Sequence, residues 1–288
     1  MLFGATGLAI FGVLGLLIGS FLNVVIHRLP IMLEAQWKAE CAEQSGQPVP
    51  EAEAFNLMQP RSRCPHCGHA ITWYENIPVL SYLALRGKCS ACQTGISARY
   101  PLVELSTGLM FVVAGSHYGL TALGLAWSLF AATLIALFFI DFDTQLLPDD
   151  LNYPLLWLGL AVSAMGWTVP LSSAVWGAIA GYLCLWLVYH GFRLLTGKEG
   201  MGYGDFKLLA ALGAWFGVEY LVVIILASSL VGSIIGLTLL LVGRLANKDI
   251  PIPFGPFLAG AGLLCLGFGP GQLEKIVPMA FPMLQWAR

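Results

Sequence analysis

The chain has 288 residues, of which 58% are hydrophobic and only 10% are charged. Its mean hydropathy is +0.78, whereas a soluble domain carries about 25% charged residues. Long apolar blocks of this kind predict a polytopic membrane protein. Soluble enzymes, DNA-binding domains and disulfide-stapled secreted scaffolds are excluded together. The formal net charge of −2 provides no argument for a nucleic-acid partner, and we expect none.

The apolar blocks predict an all-α fold with about eight transmembrane helices. Residues 1–26 form the first block and predict a helix that ends at His27–Pro30. Residues 27–101 differ in character, with prolines and charged side chains, and predict a soluble insert after the first helix. Residues 102–288 form the remaining membrane domain, with apolar blocks at about 102–118, 122–140, 154–168, 173–192, 207–218, 220–242 and 256–270.

The distribution of Lys and Arg predicts the orientation of these helices, because basic loops stay on the cytoplasmic side. With eight spans and a cytoplasmic insert, every Lys and Arg except Lys275 and Arg288 lies inside. The opposite orientation would translocate nearly every positive charge. We therefore expect the insert to face the cytoplasm.

Four cysteines of the insert have the spacing of a zinc site. They occur as two CxxC pairs, Cys64–Cys67 and Cys89–Cys92, and each pair can form one knuckle of a tetrahedral thiolate cage. A reducing cytoplasm favours metal binding over disulfides, although redox-active CxxC pairs are the alternative. The nearby His66 and His69 are expected to be loop residues, because four thiolates already complete the coordination shell.

Acidic residues beside apolar blocks are candidates for chemistry, because ionisable groups are costly there. Asp141 directly follows the apolar run that ends at Ile140. Asp205 lies within Gly202–Lys207, just before another apolar run. Glu104 lies near the start of the second predicted span. In the predicted topology Asp141 ends a span that runs inward and Asp205 begins one that runs outward. Both carboxylates therefore belong to the same membrane face.

Two carboxylates at one depth can share a proton and hydrolyse a peptide bond. The ionised one acts as base to a water, while the protonated one polarises the carbonyl and later protonates the leaving amine. The glycines before Asp205 permit positive φ angles and the close approach of another backbone. A peptide substrate is one candidate for that backbone.

Structural roles compete with catalysis at each acid. One of residues 149–150, or Asp205 itself, could cap a helix. Asp143 could be a solvated loop acid, and Glu104 could pair with Arg99. On residues alone, an intramembrane aspartyl site is one of several interpretations.

The ordered motifs resemble those of the bacterial type IV prepilin peptidases. The similar stretches are Gly19–Pro30, Arg61–Glu104 with both CxxC pairs, Asp141 followed by Leu147-Pro148-Asp149, Gly202-Tyr203-Gly204-Asp205, and Pro253–Phe257. The fourth matches the GxGD motif of intramembrane aspartyl proteases. A lone GxGD is weak evidence, but the whole ordered set is specific.

The resemblance implies a bifunctional enzyme of the bacterial inner membrane. Such enzymes cleave the basic leader of type IV prepilins and type II secretion pseudopilins after a Gly, on the cytoplasmic side. They then methylate the new N-terminal amine with S-adenosylmethionine. Carried over by motif, the catalytic pair is Asp141 and Asp205, and Asp149 is not the first member. Gly202, Gly204, Asp149, Lys207 and Glu104 are expected to support the site.

The S-adenosylmethionine pocket cannot be located from the sequence, since no Rossmann-type glycine fingerprint is present. The zinc insert is the candidate for methylation or substrate docking, or it braces the cytoplasmic face. In the aspartyl interpretation, the acids at positions 143, 149 and 150 could attract the basic leader.

Three other functions compete with this interpretation. A metal-dependent transferase could hold Mg²⁺ between Asp141, Asp143, Asp149 and Asp150. A transporter with an acidic proton relay would need charges in the interior of several spans. A membrane-tethered zinc-ribbon module would need far fewer spans than the sequence predicts.

Overall fold

A computed structural model describes residues 2–48, 55–242 and 253–269 of the chain. Within these ranges the regular secondary structure is helical, apart from two isolated β-bridges in the insert. The helices are α1 (Leu2–Gln44), α2 (Leu80–Ala84), α3 (Arg99–Tyr118), α4 (Ala122–Thr144), α5 (Asp149–Ala164), α6 (Leu171–Thr196), α7 (Tyr203–Phe216), α8 (Val218–Leu241) and α9 (Gly255–Phe268). The prediction of an all-α fold is confirmed for the described residues.

Each predicted apolar block coincides with one of these helices, but the helices differ in length. Among the described residues, four are long and apolar enough to cross a membrane: Gly4–Gln44, Ala122–Thr144, Leu171–Thr196 and Val218–Leu241. Gly255–Phe268 is apolar but shorter. The prediction of eight spans therefore stays a prediction beyond these four.

The end of the first helix was predicted wrongly. We expected it at residues 27–30, whereas α1 continues to Gln44 with Pro30 inside it. Proline removes one backbone donor and disfavours a helix locally. Here the following residues Leu33, Glu34 and Ala35 are good helix formers, and the helix continues through the proline.

The chain divides into two compact units, Met1–Gly119 and Leu120–Arg288. In the first unit, α1 and α3 pack antiparallel through small residues. A Cβ on Gly15 would lie 2.8 Å from the Cα of Gly108, and a Cβ on Gly19 would lie 2.7 Å from the Cα of Glu104. Small residues let helix backbones approach closely and gain van der Waals contacts. In lipid these contacts drive helix association in place of the hydrophobic effect.

Helix α7 is the centre of the second unit. Every residue from Leu208 to Phe216 is buried, as expected for a helix that is apolar all round. The indole Nε1–H of Trp215 donates to the carbonyl of Leu155 on α5 at 2.9 Å. Near the other end, Lys207 of α7 meets Asp149 of α5. Helices α5 and α7 therefore run parallel and begin at the same end of the unit.

Helices α6 and α7 cross at a pair of glycines. A Cβ on Gly177 would overlap the backbone carbonyl of Gly213, and a Cβ on Gly181 would lie 2.7 Å from the carbonyl oxygen of Leu209. Because the opposing atoms belong to backbone, neither helix can give way without moving as a whole. This crossing holds α7 in the register that places its first turn.

We predict that Gly177→Ala lowers the free energy of unfolding by about 1–3 kcal/mol, the usual cost of overpacking. Gly191→Ala in the same helix is the matched control, because an added Cβ there meets nothing within 4 Å. It should leave stability unchanged or raise it by about 0.5–1 kcal/mol. Denaturation in mild detergent measures both, and equal stabilities would contradict the close crossing.

Candidate functional site

Asp141 lies in the last turn of α4 and is buried, with 5% of its surface exposed. The helix ends three residues later, and Gln145 at its C-terminus adopts a left-handed conformation. Oδ2 of Asp141 has no hydrogen-bond partner among the described residues, although it is buried. A buried polar atom without a partner is rare in a native structure. The backbone of Gly255 at the start of α9 interacts with the same carboxylate, so a water or a substrate would be a further partner.

Asp205 lies in the first turn of α7 and is equally buried, with 6% exposed. Its carboxylate interacts with the backbone of Gly202, the N-cap residue of α7, and with the charge of Asp141. An acid three residues after the N-cap commonly reaches back in this way. The helix-capping alternative thus describes part of what Asp205 does. It does not account for the interaction of Asp205 with Asp141.

A leucine packs between the two segments that flank the aspartates. A Cβ on Gly204 would lie 2.6 Å from the Cβ of Leu147, and a Cβ on Gly255 would lie 3.0 Å from its Cδ1. Leu147 therefore packs between the first turn of α7 and the first residue of α9. Side chains larger than hydrogen at either glycine would push the segments apart.

The predicted role of the glycines before Asp205 needs a correction. Gly202 has a φ of −88° and no close neighbour, since the nearest atom to its added Cβ is 3.9 Å away. Neither Gly202 nor Gly204 has a positive φ. Within the protein, the close neighbour of Gly204 is the side chain of Leu147, and the approach of a substrate backbone stays a prediction.

Gly255 is a site residue whose role the sequence did not reveal. A Cβ there would lie 2.5 Å from Oδ2 and 3.0 Å from Cγ of Asp141. Only glycine lets the start of α9 approach this carboxylate. The signal was present in the Pro253–Phe257 motif, but nothing in its residue types indicates which side chain it faces.

Asp149 and Lys207 form an ion pair beside the aspartates. Nζ of Lys207 lies 2.7 Å from both carboxylate oxygens of Asp149 and 5.2 Å from the ring centroid of Tyr153. The N-cap of α5 is Pro148, and Asp149 and Asp150 lie in the first turn. Interpreting either acid as the N-cap was therefore wrong. Asp149 instead ties α5 to α7 at Lys207, which lies two residues after Asp205.

The four cysteines converge in the first unit. Their Sγ atoms all lie within 4.8 Å of one another, with 3.8 Å between Cys64 and Cys92 and 4.0 Å between Cys67 and Cys89. A tetrahedron with Zn–S bonds of about 2.3 Å has edges of about 3.8 Å. The spacing therefore fits a zinc ion held by these residues, and the convergence of the two CxxC pairs is confirmed.

The two CxxC pairs form matching knuckles. The N–H of Cys64 donates to the carbonyl of His69, and the N–H of Cys89 donates to that of Thr94, each at 2.9 Å. A single β-bridge closes each loop, between Arg63 and Ala70 and between Lys88 and Gly95. This repeated backbone geometry directs two thiols of each knuckle toward one point.

Glu75 links the two knuckles from outside the sulfur cluster. Its carboxylate accepts hydrogen bonds from the backbone and hydroxyl of Thr72 at 2.8 and 2.7 Å, and from the hydroxyl of Ser90. These bonds lower the pKa of Glu75 to about 2. His69 lies 3.3 Å from the same carboxylate. The expectation that His69 is not a ligand agrees with this placement, and the metal-ligand group contains only the cysteines among the described residues.

Glu104 belongs to the first unit, and its predicted support of the aspartates stays a prediction. It is buried, with 8% exposed, and its Oε2 accepts the backbone N–H of Val79 at 2.7 Å. Val79 has a φ of 61°, which is strained for a β-branched residue. Glu104 thus holds the insert against α3 at a strained position.

Comparison with known proteins assigns both units. Residues 13–118 match the bacterial peptidase A24 N-terminal domain, and residues 128–237 match the type IV leader peptidase family. A prepilin leader peptidase/N-methyltransferase of Aeromonas salmonicida is 58% identical over 262 residues, which is 88% of each chain. Proteins of the same name from Stutzerimonas stutzeri and Pseudomonas aeruginosa are 55% and 54% identical, over 89% of this chain and 89% and 88% of theirs. No solved structure is significantly similar.

We predict that Cys64→Ser or Cys92→Ser releases bound zinc from the purified protein, because a serine hydroxyl cannot replace a thiolate in a closed tetrahedral site. Cys41→Ser is the control, since Cys41 is exposed and lies outside the cluster. Zinc content by elemental analysis measures the effect. Unchanged zinc in either cluster variant would contradict the four-cysteine site.

Proposed function

The chain belongs to the type IV leader peptidase family, and we propose that Asp141 and Asp205 are the aspartyl pair with which it cleaves prepilins before methylating the new N-terminus. The observation that carries this proposal is the burial of both carboxylates together, where three of the motif segments meet. A pair of buried acids that only stabilised the fold would be costly to keep without a basic partner. Lys207, the nearest basic side chain in sequence, is paired with Asp149.

The pair acts by sharing a proton. Two buried carboxylates that interact with each other favour the state with one negative charge. The ionised member takes a proton from water as the oxygen attacks the scissile carbonyl, and the protonated member donates to the carbonyl oxygen. The resulting tetrahedral intermediate collapses when the nitrogen of the leaving amine is protonated. The C–N bond breaks, and water has added one OH and one H.

Gly255 and Leu147 position the attacking groups in this scheme. The start of α9 closes one side of Asp141, and Leu147 separates α9 from the first turn of α7. Positioning of this kind matters because a displacement of about 1 Å can cost about 10²-fold in rate. The Asp149–Lys207 ion pair holds α5 and α7 together on the same side.

We extend the topology to eight spans with the insert and the aspartyl pair at the cytoplasmic face of the bacterial inner membrane. In the second unit the last turn of α4 and the first turns of α5, α7 and α9 lie at one end, which supports a single reaction face. The arrangement of Lys and Arg favours the cytoplasm for that face. Substrates would be prepilins and pseudopilins whose apolar segments lie in the bilayer and whose cleavage site follows a Gly.

The zinc site is structural in this proposal. Four thiolates close the coordination shell and leave no open position for a substrate. Cys64, Cys67, Cys89 and Cys92 would hold the ion, and Glu75 would keep their knuckles together. S-adenosylmethionine would supply the methyl group for the second reaction, and none of the described residues is assigned to its binding.

One earlier hypothesis changes in detail. Three acids were expected to attract the basic leader, but the charge of Asp149 is engaged by Lys207. Asp143 and Asp150 are both exposed and remain candidates for leader attraction. Their contribution would be limited to a Debye length of about 8 Å at physiological salt.

The competing functions have less support. A magnesium site would need Asp141 near residues 143, 149 and 150, yet among the described residues only the cysteines form a metal-ligand group. Asp141 is buried beside Asp205 instead. A chelator that does not remove the structural zinc should leave cleavage intact.

We predict that Asp141→Asn and Asp205→Asn each abolish cleavage of a prepilin by the purified enzyme in detergent. Asparagine keeps the shape but can neither lose nor donate the catalytic proton. The mass of the substrate reads out the reaction. Both variants should stay folded and zinc-loaded, and both should be tested for methylation of a substrate that has already been cleaved. Cleavage near the wild-type rate by either variant would remove that aspartate from the pair.

We predict that Gly255→Ala lowers the rate of cleavage by about 10²-fold, because the added methyl group displaces the carboxylate of Asp141. Gly260→Ala is the control in the same helix, since its added Cβ meets nothing within 4 Å. That variant should cleave at the wild-type rate. Equal rates for the two variants would show that the start of α9 does not position Asp141.

A further inference from the structure

The segment 73–84 of the insert exposes several large apolar side chains, whose exposure to water is unfavourable. Trp73 is 81% exposed and Tyr74 is 56% exposed. In α2, Leu80 and Leu83 are 66% and 64% exposed. Their spacing of three residues puts them on one face of the helix, the arrangement by which a helix of a soluble domain faces its core. Here that face is turned outward.

Two hydrogen bonds fix this segment to the helices of the first unit at one level. The carboxylate of Glu104 in α3 accepts the N–H of Val79, directly before α2. The hydroxyl of Ser20 in α1 lies 3.4 Å from Oδ1 of Asn76, two residues after Tyr74 in the chain. The levels agree, because Gly19 of α1 packs against Glu104. The segment is therefore held beside α1 and α3 and cannot extend freely into the cytoplasm.

Helix geometry gives the depth of that level in a bilayer. At a rise of about 1.5 Å per residue, Ser20 lies about 27 Å along α1 from Leu2, and Glu104 lies about 21 Å along α3 from Tyr118. The hydrocarbon core of a bilayer is about 30 Å thick. If Leu2 and Tyr118 lie at one boundary of the hydrocarbon core, Ser20 and Glu104 lie within about 10 Å of the opposite boundary.

The chemistry of the segment suits that boundary. Trp and Tyr are enriched where the hydrocarbon meets the headgroups, and short helices can insert an apolar face about 5–10 Å deep there. Leu102, Leu105 and Leu109 continue an exposed apolar surface along α3, at 56%, 53% and 63% exposed. Arg86 and Lys88, which follow α2, are exposed and can contact anionic headgroups.

We propose that Trp73, Tyr74, Leu80 and Leu83 form a membrane-surface patch, by which the zinc-binding insert lies in the headgroup region of the cytoplasmic leaflet. The inference rests on the proposed crossing of the membrane by α1 and α3. It goes beyond the peptidase assignment, because it makes the lipid bilayer a binding partner of the insert itself. The cysteine cage is then held at the membrane surface, where a bilayer-embedded substrate emerges.

The test replaces Leu83 by the photo-cross-linking residue benzoylphenylalanine in the full chain, in nanodiscs of phosphatidylethanolamine and phosphatidylglycerol. Met58 is the matched control position, being an apolar insert residue that is 85% exposed. Its loop is bonded to Arg28 of α1 through the carbonyls of Asn56 and Pro60. Arg28 lies about 12 Å farther along α1 than Ser20, away from the hydrocarbon.

Mass spectrometry after irradiation should find a lipid adduct when the cross-linker is at position 83 and none when it is at position 58. A second measurement compares the fluorescence of the wild type with that of Trp73→Phe in nanodiscs of brominated lipid. The difference between the two is the emission of Trp73, and bromine should quench it. Cross-links from position 83 to protein, equal lipid adducts at both positions, or an unquenched Trp73 would overturn the proposal. Prepilin cleavage by the same samples separates this failure from a failure of the peptidase assignment.

Discussion

The burial of Asp141 beside Asp205 is the constraint on which the second unit depends. In the described part of the chain, no basic side chain acts on either carboxylate. The helices around the two acids are held by close contacts at glycines. The start of α9 touches Asp141 at Gly255, Leu147 fills the space beside Gly204, and Gly177 and Gly213 fix α7 against α6. Each contact tolerates no added methyl group, and each lies on a segment that carries or faces an aspartate.

Charge is used sparingly and is placed at the ends of helices. Lys207 engages Asp149 and the ring of Tyr153, so its positive charge stabilises the parallel start of α5 and α7. Asp205 interacts electrostatically with Asp141 instead. A pairing of Lys207 with Asp205 would have placed a counter-charge on one of the two proposed catalytic acids. The two acids thus differ in their partners: Asp149 is paired with a cation, and Asp205 interacts with another acid.

The first unit solves a related problem with hydrogen bonds. Its insert contains little apolar core, and a carboxylate takes the place of packing at two positions. Glu75 joins the knuckles that carry the cysteines, and Glu104 joins the insert to α3. A zinc ion bound by the four thiolates would add the third link. A small domain with so few buried side chains needs such cross-links, since its hydrophobic core alone is too small to stabilise it.

The sequence by itself determined the local features of this protein. Apolar blocks set the positions of α3 to α9, because helix formation in an apolar stretch follows from composition and length. The CxxC spacing predicted the cysteine cluster, because each knuckle is closed by its own neighbouring backbone. The motif order led to Asp141 and Asp205. Tertiary structure decided what depends on neighbours that are distant in the chain: the partner of Asp149, the glycine against Asp141, and the bonds of Glu75 and Glu104. It also showed that α1 continues past Pro30, where the sequence placed its end. Residue types do not encode which distant backbone a side chain will meet, and those contacts arise only when the helices pack.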